Sequence, residues 1–197
     1  MTGMMAMSAN AQPNTSGIAF TQGTAEVPLH DAIDITGEEI TIELWVKYTE
    51  DADNVVHLIG NKASVDDDGY LLRLVGEYDK RVEFHPSSTT RYHTVSEAAL
   101  QENQWYHIAA TFDGNEGTVY INGEKDNSNS SSLTREIGSS GEPLVIGATI
   151  TGFGNFLDGN VDEVQIWDRE LPEGEVEFFF DQELDGDEDG LAAYFKF

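Results

Sequence analysis

Apolar and polar residues alternate along most of this chain. The clearest run is Ile40-Thr41-Ile42-Glu43-Leu44-Trp45-Val46-Lys47, which puts Ile40, Ile42, Leu44 and Val46 on one face of an extended strand. That face is the expected core side. Shorter runs of the same kind occur at Ile18 to Phe20, Glu26 to Pro28, Val55 to Gly60, Tyr70 to Val75 and Arg81 to His85, broken by the acidic turn Asp66-Asp67-Asp68-Gly69 and by Gly76-Glu77. In the middle, Trp105 to Phe112 runs into Asp113-Gly114, and Thr118 to Ile121 runs into Asn122-Gly123. Asx-Gly pairs supply the positive φ that tight β turns need, so this stretch predicts a meander. Asp126 to Ser132, rich in Asn and Ser, is predicted to be a loop. Pro143 to Gly147 and Gly159 to Trp167 resume the strand pattern. One helix is predicted from Pro172 to about Phe180, with Pro at its first turn and Glu173 and Glu175 near its N-terminus. Leu191 to Phe197 closes the chain as a strand. Many short strands and a single helix predict an all-β, two-sheet antiparallel sandwich with one short helix near the C-terminus.

Composition narrows the function classes. The 197 residues fit one domain, taken as 17–197 behind a polar leader at 1–16, either disordered or the remnant of an export signal or of expression. The apolar fraction is 39%, with 10 Phe, 7 Tyr and 3 Trp, enough to close two sheets on one core. The absence of cysteine excludes a disulfide scaffold, a thiolate metal site and cysteine catalysis. Charge changes the picture most: 37 Asp and Glu against 10 Lys and Arg give −27. Such a surface repels phosphate backbones and anionic membranes, which excludes nucleic acid as a partner. No run approaches the length of a membrane span, so membrane insertion is not expected. Self-repulsion on this scale is screened in concentrated salt, and the composition points to a protein of a halophile.

A set of words in fixed order then carries a family resemblance. They are TIELWVK at 41–47, YLLRL at 70–74, NQWYHIAATFDGNEGTVYING at 103–123, LVIG at 144–147, FLDGNVDEVQIWDRELPEGEV at 156–176 and AYFKF at 193–197. Together they resemble the laminin-G-like jelly-roll domains of the concanavalin A-like lectin and glucanase superfamily. The resemblance implies a sandwich whose N- and C-terminal strands pair. It also implies a non-catalytic, extracellular or cell-surface binding module for a glycan, or alternatively for a surface protein in an assembly. It fixes no oligomeric state.

The resemblance also directs the search for sites. Glycosidases of this superfamily carry Glu-x-Asp-x-(x)-Glu on one strand, which sets nucleophile and acid/base on one face. Asp162-Glu163-Val164-Gln165-Ile166 does not supply it, and Glu43 is the only carboxylate of its own strand. No catalytic residue and no enzymatic activity are therefore expected. Related domains hold a structural calcium near the Asp-Glu-Val word, which assigns Asp162 as a ligand with the carbonyls of Gln22 and Gly23; Thr21 stands where the family has an Asp. Asp185, Asp187 and Asp189 form a weaker alternative, since the twelfth position of this EF-hand-like word is Lys196 instead of a bidentate Glu. His85 and His93, with Arg91 and Tyr92, are candidates for lining a pocket, and Tyr92 and His93 are the expected ligand contacts. Trp45, Trp105 and Trp167 are assigned to packing.

Overall fold

The computed structural model describes residues 17–49, 55–76, 79–87, 93–130, 134–150 and 154–197. Two antiparallel sheets face each other. The first contains β1 (Ile18–Thr21), β3 (Ile40–Tyr48), β8 (Tyr106–Phe112), β9 (Glu116–Ile121), β10 (Glu124–Ser130), β12 (Asp158–Trp167) and β13 (Leu191–Phe195). The second contains β2 (Ala25–Val27), β4 (Val55–Gly60), β5 (Leu71–Val75), β6 (Lys80–His85), β7 (Thr94–Leu100) and β11 (Leu144–Ile146). Their orders are β1-β12-β3-β8-β9-β10, with β13 also on β12, and β2-β11-β4-β5-β6-β7.

The alternating run of β3 behaves as its pattern requires. Ile40, Ile42, Leu44 and Val46 are fully buried between the sheets, against Leu58, Leu72, Leu74, Val82 and Phe84 of the opposite sheet. Each such side chain contributes about 1.5–3 kcal/mol of burial. The same alternation leaves the odd positions of β5 and β6 on the far side of their sheet, and the site lies there.

Three features differ from the sequence expectation. The terminal strands do not pair with each other: β1 lies against Asp158 to Val161 and β13 against Val164 to Trp167, end to end along one edge of β12. The changeover falls at Asp162 and Glu163, where the register shifts and Glu163 takes a φ of 51°. The Asn/Ser segment expected as a loop is mostly β10, and β7 occupies a segment with no strand signal. These two are edge strands of opposite sheets, and polar side chains join them. Asp126 accepts from the amides of Glu97 and Ala98 at 2.5 and 3.0 Å, Asn127 Nδ2 donates to Val95 O at 2.8 Å, and Asn129 Nδ2 to His93 O at 2.8 Å. Hydrogen bonds replace apolar burial at this edge, so periodicity fades there.

The expected helix is α1 (Glu173–Phe179), entered from Pro172 at φ −64°. Seven residues are too few for a helix to persist alone. It is held by a second small core of Ala109, Tyr120, Trp167, Leu171, Val176 and Leu184 on the outer face of the seven-stranded sheet.

Candidate functional site

The outer face of the six-stranded sheet carries a row of polar side chains. Cross-strand register sets His57 beside Arg73 and Arg73 beside Glu83, while the pairs Glu83 with Val95 and Phe84 with Thr94 bring His93 level with His85. Their sequence neighbours Leu72, Leu74, Val82 and Phe84 point the other way, into the core. Outward positions on a sheet are ordinarily solvated, yet His57, Glu83 and His85 are 3%, 8% and 2% exposed. His93 stands at the rim with its side chain 41% exposed. Below the row, Asn61 Oδ1 accepts from Tyr70 N at 2.9 Å, and the buried Lys62 donates to Ser87 O at 3.3 Å.

Glu83 is the centre of the group. Arg73 Nε donates to its Oε2 at 2.5 Å, His85 Nε2 lies 3.1 Å from the same oxygen, and His93 Nε2 lies 3.7 Å from Oε1. The His85 contact lacks the alignment of a hydrogen bond, so neither ring nitrogen of this buried histidine has a hydrogen-bond partner. The His85 and His93 rings are 5.1 Å apart, centre to centre.

The electrostatics follow from this packing. Burial pushes Glu83 upward, but contacts with His85 and Arg73 outweigh it and hold the carboxyl at about 2. Burial pushes His85 down against the pull of Glu83, and burial with Arg73 and His85 brings His57 to about 4. His85 and Arg73 together keep Glu83 ionised. The face therefore offers a planar cation, a carboxylate and neutral imidazoles, a mixture of donors and acceptors matched to hydroxyl groups.

The structure distributes the other sequence candidates differently. His93 joins the row, and Tyr92 and Arg91 lie outside the described residues. Gln22 and Gly23 are not brought to Asp162: β1 pairs Thr21 with Asp158 and Ile18 with Val161, so the Gln22 end is about five residues, or roughly 17 Å, from Asp162 along the strand. One calcium cannot take ligands across that span, since its oxygens must lie about 2.4 Å away. Asp162 serves the backbone instead. It is buried, and its Oδ1 accepts from Glu163 N at 2.9 Å and Phe197 N at 3.1 Å, at the changeover between β1 and β13. The C-terminal acidic loop turns around a residue not among the candidates. Glu188 accepts from the amides of Asp185 and Gly186 at 2.8 and 2.9 Å, while Asp185, Asp187 and Asp189 are exposed.

The sequence reasoning did not select His57, Arg73 or Glu83. They lie on three strands, and no local spacing joins them. The available signal was the alternation itself: Arg73 within Leu71 to Val75 and Glu83 within Arg81 to His85 are polar residues at outward positions.

A second polar group lies beneath α1. Glu43 and His107 are buried, 3.9 Å apart between Oε2 and Nε2, and neither side chain has a hydrogen-bond partner; Gln165 Oε1 and Trp167 Nε1 are alike in this. Burial raises Glu43 to about 8 and lowers His107 to about 3, so both are neutral near pH 7. Trp45 and Trp167 are buried on this outer face, with Trp45 Nε1 donating to Phe180 O at 3.3 Å. The word tested above for paired catalytic carboxylates, Asp162 to Ile166, lies on β12. Here Asp162 is bound by amides, Glu163 accepts from the Tyr194 hydroxyl, and Ile166 is core.

Among the described residues no helix is long and apolar enough to cross a membrane. A search of curated proteins finds no match. Solved structures similar in fold include a putative carbohydrate binding protein from Bacteroides ovatus, at 19% identity and TM-score 0.70, covering 90% of this chain and 50% of that one. The chain thus spans half of that relative. The CBM40 of the Ruminococcus gnavus IT-sialidase, bound to alpha2,3 sialyllactose, matches at 17% identity and TM-score 0.64, covering 83% of this chain and 96% of that one. The native heptameric SAP-like pentraxin of Limulus polyphemus matches at 15% identity and TM-score 0.59, covering 78% and 79%. A laminin G family model covers residues 21–177. With that share of its length matched and two jelly-roll sheets in place, the chain belongs to the concanavalin A-like lectin/glucanases superfamily.

Proposed function

We propose that the chain is a non-catalytic carbohydrate-binding module that works outside the cell or at its surface in high salt, and that the sugar docks on the outer face of the six-stranded sheet. The observation that carries this reading is the row of buried His57, Glu83 and His85 around the half-buried Arg73, with His93 at its rim. Buried polar side chains on an outward face need partners, and unpartnered imidazole nitrogens there are matched by sugar hydroxyls. The relatives named as a carbohydrate binding protein and as a module bound to sialyllactose support the same ligand class. The net charge of −27 supports the high-salt setting.

A glycan array in molar NaCl, followed by calorimetry on the hits, tests the reading. We expect a specific hit whose affinity falls about tenfold or more in Arg73→Met, in line with loss of a charged hydrogen bond. An array without a specific hit contradicts it. A second reading, a protein-binding or assembly module of a surface structure, is favoured by Phe178, a helix residue 62% exposed. A discrete oligomer in light scattering that dissociates in Phe178→Ser would support that reading instead.

A further inference from the structure

We propose that Glu83, His85 and His93 form a binding site for one borderline divalent transition-metal ion of the zinc class, on the outer face of the six-stranded sheet. One ligand atom from each residue lies within 4.8 Å of the others. Ligand atoms about 2.1 Å from a tetrahedral ion sit roughly 3.4 Å apart. The separations of 3.1 Å between His85 Nε2 and Glu83 Oε2, and 3.7 Å between His93 Nε2 and Glu83 Oε1, bracket that value. Small side-chain adjustments close the remainder.

Two further observations point the same way. His85 is a buried imidazole with no hydrogen bond at either nitrogen, aimed at a carboxylate that it approaches off the hydrogen-bond direction. Burying such a group is costly unless something binds it. Arg73 grips Glu83 from the side away from His93, fixing the carboxylate as outer-shell partners do at metal sites. It also brings a positive charge close to the ion, which lowers affinity, so a micromolar site is expected and not a tighter one.

The donor set selects the metal. Calcium takes six to eight oxygens, and two imidazoles with one carboxylate do not offer them; imidazole suits zinc, nickel and copper. Three protein ligands leave a coordination position, and the partial exposure of His93 places it towards solvent. The assignment shares Glu83, His85 and His93 with the face of the carbohydrate reading but rests on their mutual geometry and not on a bound sugar.

The test uses the whole chain, stripped with EDTA and transferred to chelator-free molar NaCl. Zinc is titrated by calorimetry, and cobalt by its visible absorption. We expect one equivalent of zinc, a cobalt spectrum of low coordination number, and calcium binding at least a hundredfold weaker. His93→Ala should weaken zinc by about tenfold or more, while its melting temperature in EDTA stays that of the parent, because the ring stands at the rim. Asp162→Asn should bind zinc as the parent does. The proposal is overturned by an absence of zinc binding, by equal binding in His93→Ala, or by loss of binding in the triple variant Asp185→Asn, Asp187→Asn, Asp189→Asn. Glycan binding that persists in EDTA alongside any of these results would leave the carbohydrate reading intact and remove the metal alone.

Discussion

Asp162 shows how a residue legible in the sequence takes on a different task in the fold. Its neighbourhood, the Asp-Glu-Val word, was expected to hold a calcium ligand and lies on β12. That place is the junction where β1 ends and β13 begins, and the carboxylate binds two amides there. Asparagine keeps an oxygen acceptor in the same position, so Asp162→Asn should be nearly neutral. Asp162→Ala should cost about 1–3 kcal/mol through loss of two partly buried backbone hydrogen bonds. Chemical denaturation checks both, and equal loss in the two variants would show that the charge matters instead. Glu43 and His107 give a second prediction at this scale. The folded pKa of Glu43, about 8, lies above its ordinary 4.5, so its contribution is fully present below pH 4.5 and is lost as pH rises towards 8. His107, about 3 against 6.5, works in the opposite sense: its contribution is present above pH 6.5 and is lost as pH falls towards 3. The two slopes cancel between pH 4.5 and 6.5. From pH 6.5 to 8 only Glu43 acts, at no more than about 1.4 kcal/mol per pH unit. In molar salt, the parent should lose melting temperature over that range relative to Glu43→Gln. Parallel profiles would mean that Glu43 is already ionised beneath α1.

Among the elements, those that bury one clean face were legible and those joined by polar bonds were not. β3 alternates without interruption, and the meander of β8 and β9 is marked by Asx-Gly turns, with Asn122 and Gly123 both at positive φ. Helix α1 was legible from Pro172 and the acids behind it. β7 and β10 escaped because polar residues break the pattern there, and the side chains of Asp126, Asn127 and Asn129 bond backbone groups along the other edge. The site escaped for the same reason, since register between β4, β5, β6 and β7 sets its members together and no single segment contains them. If polar side chains join the two edges, Asp126→Ala with Asn127→Ala should release the amides of Glu97 and Ala98. Hydrogen exchange should accelerate at those two positions and leave the β8 and β9 pairing unchanged. Unaltered exchange at Glu97 and Ala98 would show that the contacts contribute nothing to holding β7.

At the scale of the whole molecule, the charge imbalance governs stability. Of the 10 basic residues, Lys62 and Lys80 are buried, so the exterior has fewer cations than the net −27 alone implies. Repulsion acts over about 10 Å in 0.1 M salt and about 3 Å in 1 M salt. The melting temperature should therefore rise from 0.1 M to molar NaCl with EDTA present throughout; an unchanged value would remove repulsion as an important term. The same salt defines the conditions for the functional claim, because the polar face must be assayed in a folded protein. The most direct measurement is an amide chemical-shift titration of the labelled chain in molar NaCl with the glycan selected on the array. The account predicts shifts concentrated at Arg73, Glu83, His85, His93 and their strand neighbours on the six-stranded sheet. Shifts confined to α1, to the loop at 185–190, or to the Asp162 junction would contradict it.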